Sequence, residues 1–168
     1  LQLQAAMAIT RAHQLGMSGL QEAAGPLMET IDQAQQHPLV RLACAGALVE
    51  LDARQSAPLL FNHWQRAEID LASVVEPALA SWKYEAIRQI WRDRLRVSQT
   101  RGRSLQLAME GLAEMSDRAS VTQLTELLYT TSTPPVRLRA AQALADLQRT
   151  GLEATAGHLM AQSTAPAR

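Results

Sequence analysis

Arg88, Arg92 and Arg96 recur at intervals of four residues. On a helix this sets three guanidiniums along one flank, a turn apart. Such a stripe matches spaced phosphates or carboxylates, because each guanidinium offers a planar fork of N–H donors to an oxyanion. On the same projection Tyr84, Ile87, Ile90, Trp91 and Leu95 share the apolar face, and Arg101 and Arg103 follow in the next loop. Two roles fit. As an anion-binding ridge, Arg88, Arg92 and Arg96 would engage an acidic partner, with Gln89 and His63 as further contacts. As a structural network, the same arginines would be neutralised by Glu85, Glu68, Asp70 and Glu76 in the same or adjacent helices, and this is the role expected here. Trp82, Tyr84 and Trp91 near the stripe invite base stacking, but their helical spacing points to core packing.

Other chemistry finds little support. His13, His37, His63 and His158 include no pair three or four residues apart, and no His-Glu-x-x-His segment occurs, so no metal site is expected. Cys44 is the single cysteine and falls on the apolar face of its helix, where a buried, inert thiol is expected. The glycines at 16, 19 and 102 read as helix ends rather than a phosphate-binding loop. There is no Gly-x-Ser-x-Gly turn, no paired Cys/His arrangement and no recurrent pairing of carboxylates. The expectation is a protein with no cofactor and no catalytic residue, not an enzyme.

The elements that position these residues follow a repeat. Val40-Arg41-Leu42 leads into Ala45, Ala47-Leu48, Glu50 and Leu51, and ninety-six residues later Val136-Arg137-Leu138 leads into Ala141, Ala143-Leu144, Asp146 and Leu147. Ala108-Met109 and Gly111-Leu112-Ala113-Glu114-Met115 lie thirty-two residues before that last copy. Repeats are therefore expected at about 1–33, 34–66, 67–98, 99–130 and 131–162, each a helix pair that cannot bury its apolar face alone. First helices are predicted over 1–15, from Pro38, over 70–82, around Leu105 to Met115, and from Pro135 with Thr133 as cap. Second helices are predicted over 19–31, 54–65, 84–97 and from Ser120, where Ser120 and Gln123 have capping-box spacing. A last helix carries Leu152, Leu159 and Met160 beyond Gly151, and 163–168 reads as a disordered tail. Leu79 falls one residue out of phase, and Pro77 predicts a kink. Arg41 and Arg137 share a repeat position, which suggests a ladder onto carboxylates or carbonyls of the neighbouring unit.

Pro135-Val136-Arg137, Ala140-Ala141, Ala143-Leu144 and Leu147, supported by the second repeat, resemble the HEAT-like family in its short bilin-lyase-type and bacterial form. The resemblance covers about 130 residues and implies an all-α, armadillo-like α-solenoid whose second helices line a concave face. The apolar face after His37-Pro38-Leu39 runs longer than an ankyrin first helix, and the tetratricopeptide pattern of Trp, Leu-Gly and Tyr is absent. The family implies a shape more than an activity. A scaffold for an unknown protein or peptide is the leading function. A nucleic-acid-binding module, resembling HEAT-like alkylation-repair glycosylases, is the second.

Composition bounds these readings. With 168 residues and 47% hydrophobic, the chain fits one domain with an ordered core. Sixteen basic and sixteen acidic side chains balance, so no global field steers it to nucleic acid or an anionic membrane. The distribution is less even than the total: residues 1–82 hold four arginines against eight carboxylates, net −4, and residues 83–103 hold seven cations against two carboxylates, net +5. No stretch is long and apolar enough for membrane insertion. The chain opens at Leu1 without an initiator Met, which reads as a piece of something longer. A monomer is expected, with end-to-end association open to exposed repeat ends; the compartment is left open, with the cytoplasm as default.

Overall fold

The computed structural model describes residues 1–33, 35–66, 71–96, 102–148, 150, 153 and 157. Among them the protein is all-helical, with no strand and nine α-helices: α1 (Gln2–Gln14), α2 (Ala24–Asp32), α3 (Pro38–Glu50), α4 (Ala57–Gln65), α5 (Ala72–Ser81), α6 (Arg88–Arg96), α7 (Arg103–Glu114), α8 (Val121–Thr130) and α9 (Pro134–Leu147). The helix expected around Leu152, Leu159 and Met160, and the tail at 163–168, lie outside the described residues. Two compact units form, Leu1–Ile87 and Arg88–Arg168. In the first, α3 packs against α1, α2 and α5, and α4 packs against α5. In the second, α7 and α8 each pack against both α6 and α9.

One device ends four of these helices. After α3, the N–H of Ala53 donates to the carbonyl of Leu48 and that of Asp52 to Val49, both at 3.0 Å. This is the Schellman pairing, and it needs a left-handed residue at its centre. The same pair of bonds closes α1 at Gly16, α5 at Lys83 and α7 at Ser116. All four central residues have positive φ, between 50° and 79°. Only one is a glycine, so the sequence marks only one stop. The stops at Asp52, Lys83 and Ser116 are separated by thirty-one and thirty-three residues, which accounts for the phase slip at Leu79. After each stop, one turn of 3-10 helix (Leu20–Ala23, Arg54–Ser56, Glu85–Ile87, Arg118–Ser120) leads directly into the next α-helix. The second helices predicted as uninterrupted therefore open with a tighter turn.

The core is built from equivalent positions of this unit. Four residues before the stops lie Leu48, Leu79 and Leu112, and Leu144 holds the same place in α9; all four are fully buried, each worth about 2 kcal/mol against an exposed leucine. The second helices bury Leu27, Leu60, Trp91 and Leu124 at their fourth positions. Trp91 is the large exception, and Gly111 is its counterpart. Where the other first helices carry Ala47, Ala78 and Ala143, α7 carries Gly111, whose added Cβ would lie 2.5 Å from the Trp91 ring.

The capping details differ from expectation. Ser120 does not cap α8: its hydroxyl donates to the Asp117 carbonyl at 2.7 Å, because the preceding 3-10 turn presents that acceptor first. Ser56 does the same to Ala53. Thr133 occupies the N-cap of α9 without a side-chain cap bond; its backbone carbonyl accepts from Val136 and Arg137. His37, not foreseen as a cap, accepts the Leu39 N–H on Nδ1 at 3.2 Å. Pro77 lies inside α5, where its missing N–H leaves the Ser73 carbonyl without an intrahelical donor.

Two substitutions test this account. Ser116→Gly relieves the left-handed strain and raises stability in urea unfolding by about 0.5–1 kcal/mol. Gly111→Ala drives a methyl into the indole and lowers it by about 1–3 kcal/mol, whereas Gly111→Ala with Trp91→Leu, the pair found in the other repeats, costs less than the two single changes added together.

Candidate functional site

The arginine stripe lies on α6, and its main partner is Asp117, a residue absent from the four carboxylates expected. Asp117 follows the stop at Ser116 and is only 2% exposed at its side chain. The Arg92 guanidinium grips it with two donors: Nε to Oδ2 at 2.9 Å, and Nη2 to Oδ1. Arg88 adds Nη1 to Oδ1 at 3.3 Å. The Asp117 main chain is held too, its N–H donating to the Leu112 carbonyl and its own carbonyl accepting from the Ser120 N–H and hydroxyl. Arg92 hydrogen bonding, with the charges of Arg92 and Arg88, draws the Asp117 carboxyl below its ordinary value against the opposing pull of burial.

Arg96 behaves differently. It is 59% exposed and lies 3.7 Å from Asp93, and its Nε and Nη2 donate to the Gln123 side-chain oxygen at 2.8 and 2.9 Å. Gln89 is exposed and donates along its own helix to Asp93 at 2.9 Å. Arg94 reaches the Ser104 carbonyl at 3.3 Å. The stripe is therefore stitched to α7's end and to α8, with Arg88 and Arg92 only 23% and 25% exposed.

The expected carboxylates have other places. Glu76 is buried in α5 and accepts the Trp64 indole N–H at 3.0 Å. Glu85 is exposed in the 3-10 turn before α6, while Glu68, Asp70 and Arg101 lie outside the described residues. The aromatic residues divide. Trp91 is fully buried. Tyr84 tilts against Phe61 with ring centres 5.4 Å apart, and Trp82 donates from its indole to Asp52 at 2.6 Å. That indole N–H is the main reason the Asp52 carboxyl falls below its ordinary value, with Arg54 adding to it.

His63 is buried, with Nε2 3.5 Å from the exposed carboxylate of Asp32. Arg41 is buried and donates to the Gln33 carbonyl at the end of α2, at 2.8 Å, as the ladder predicts. Arg137 is exposed, so the ladder is not repeated there. Cys44 is buried, and burial pushes its thiol up. Among the described residues no group of three or more His, Cys, Asp or Glu could hold a metal ion, and no helix is long and apolar enough to cross a membrane. A cavity of about 770 Å³ in the second unit is lined, among the described residues, by Ser116, Arg118, Thr122, Asp146, Gln148 and Thr150 beside Val121 and Leu147. His158 lies outside the described residues.

No family model matches this chain, and no curated protein matches it in sequence.

Asp117 was legible in one respect. It lies twenty-nine residues beyond Arg88, near the spacing at which the following repeat would supply a partner. Because its folded pKa is depressed, its stabilising contribution is complete above the ordinary carboxylate range and is lost as pH falls through the folded value. Asp117→Asn should lower stability at neutral pH by about 2 kcal/mol and flatten the loss of stability below about pH 4, read by urea unfolding across pH. Arg92→Glu should cost about 3 kcal/mol, against near-neutrality for a free surface arginine.

Proposed function

We propose that this protein is a non-catalytic interaction module, a HEAT-like helical-repeat array that presents its second helices to a protein or peptide. The observation that carries the reading is the fourfold recurrence of one unit, a first helix closed by a left-handed stop at Gly16, Asp52, Lys83 or Ser116 and continued through a 3-10 turn into a second helix. Stacked units of this kind extend a surface rather than enclose a pocket, and such surfaces suit extended partners. The bonds that tie one unit to the next support the same reading: Gln21 to the Leu51 carbonyl, Trp82 to Asp52, and Arg88 and Arg92 to Asp117. Of the residues expected to form the binding surface, Gln89 and Arg96 remain exposed on α6.

A nucleic-acid module would require Arg88, Arg92 and Arg96 as phosphate ligands. Two of the three are committed to a buried carboxylate, which favours the protein or peptide partner.

Panning a random-peptide library on the protein, followed by hydrogen exchange, separates the readings. A peptide family with a common pattern should emerge and protect amides in α2, α4, α6 or α8. Labelled duplex and single-stranded DNA should give no anisotropy change whose strength falls steeply with salt. The absence of any enriched family, or steep salt-dependent DNA binding, would overturn the proposal.

A further inference from the structure

The cavity of about 770 Å³ in the second unit lies where one helix starts and another stops. Val121 and Thr122 open α8, and Asp146 and Leu147 close α9. The two ends differ in sign, because backbone dipoles leave a partial positive charge at the start of a helix and a partial negative charge at its end. The side chains follow the same division. Arg118 comes from the 3-10 turn before α8, its N–H bonded to the Ser116 carbonyl at 3.0 Å, and Asp146 belongs to the last turn of α9.

Arg118 and Asp146 are exposed and line this one cavity, but they form no ion pair with each other or with another described residue. The charges beside them are engaged elsewhere. Next to Arg118, the Asp117 carboxylate is enclosed by Arg88 and Arg92. Asp146 also borders a second cavity, of about 520 Å³ between α7 and α9, with Glu110, Glu114 and Arg139, and there Arg139 pairs with Glu110 at 3.4 Å. Of the charges that follow in sequence, Glu153 is exposed and does not line the first cavity, and Arg149 lies outside the described residues. Thr122 and Gln148 add hydrogen-bonding groups to the lining, and Val121 and Leu147 add an apolar wall. No aromatic ring lines it among the described residues, so the platform on which a base stacks is absent, and the Asp146 carboxylate opposes a phosphate.

We propose that this cavity binds a short free peptide by its two charged ends, the terminal carboxylate on Arg118 and the terminal ammonium on Asp146. A guanidinium offers the planar fork that a carboxylate fills with two bonds, and an ammonium offers donors to a carboxylate that has no other partner. Thr122 and Gln148 serve the peptide groups between the ends, and a small apolar side chain rests on Val121 and Leu147. The volume is that of sites which enclose ligands of this size. The site goes beyond the scaffold function proposed above, since it takes a free small molecule and uses residues of the second unit alone.

The test is titration of the protein with dialanine, trialanine and tetraalanine, followed by amide chemical shifts; three lengths are used because the separation of the two charges selects one. The best of them should bind with Kd below about 1 mM and shift amides in 116–122 and 146–148. Amidating its carboxylate should weaken binding about tenfold in the wild type and cause no further loss in Arg118→Gln, and acetylating its amine should do the same against Asp146→Asn. Both variants should keep the wild-type circular dichroism and melting temperature, since both side chains are exposed. The proposal is overturned if none of the three peptides shifts these amides at about 10 mM. It is equally overturned if the blocked peptides bind as well as the free one, or if the free peptide binds both variants as it binds the wild type.

Discussion

Each helix here is too short to be stable alone, and the structure depends on how one helix is handed to the next. The left-handed residue at each stop does this. It lets the last carbonyls of the first helix accept two backbone N–H groups and turns the chain within one residue. The 3-10 turn then starts the second helix almost at once. The leucines four residues before each stop are thereby set against the second helix, and Leu48, Leu79 and Leu112 are completely buried for that reason. Asp52, Lys83 and Ser116 each accept the steric cost of a positive φ, a cost of about 1–2 kcal/mol. The packing that follows offsets it.

The third repeat departs from this frame, and its departures compensate one another. Trp91 stands where leucines pack elsewhere, and Gly111 makes room for its ring on the facing helix. With the indole drawn onto the α7 backbone, Arg88 and Arg92 on the flank of α6 come within reach of the Asp117 turn that closes α7. A buried carboxylate is unfavourable unless it is paired and hydrogen-bonded. Two guanidiniums and a bonded main chain meet that condition at Asp117.

The repeat period, the helix pairs and most of the apolar positions were readable in the sequence, because helical spacing of leucine and alanine needs no tertiary information. The stops were not. Gly16 announces one, but Asp52, Lys83 and Ser116 are residues whose left-handed conformation is imposed by the packing on either side, so only the glycine carries a local signal. The site was half legible for a related reason. Helical projection placed Arg88, Arg92 and Arg96 on one flank, but their partners come from the following turn and helix, and Asp117 lies in the turn after α7 rather than in the helices that carry Glu68, Asp70, Glu76 and Glu85 in sequence. His63 shows the limit from the other side: it was expected as a further contact beside the arginine stripe, and the fold buries it next to Asp32 of α2.

The arginines that first suggest binding illustrate how charge should be read in a repeat protein. A stripe of cations is conspicuous in sequence because its members are close together, but closeness along one helix also makes it easy for the next turn to satisfy them with a single acid. Arg88 and Arg92 thus leave the surface inventory, and Asp117 leaves with them. What remains at the surface is the charge that the fold does not use. Removing pairs of opposite sign cannot change a unit's net charge, but it concentrates that charge on fewer, more exposed groups. In the second unit this transfers the basic character from the conspicuous stripe on α6 to scattered residues such as Arg118 and Arg137, which no sequence motif singles out.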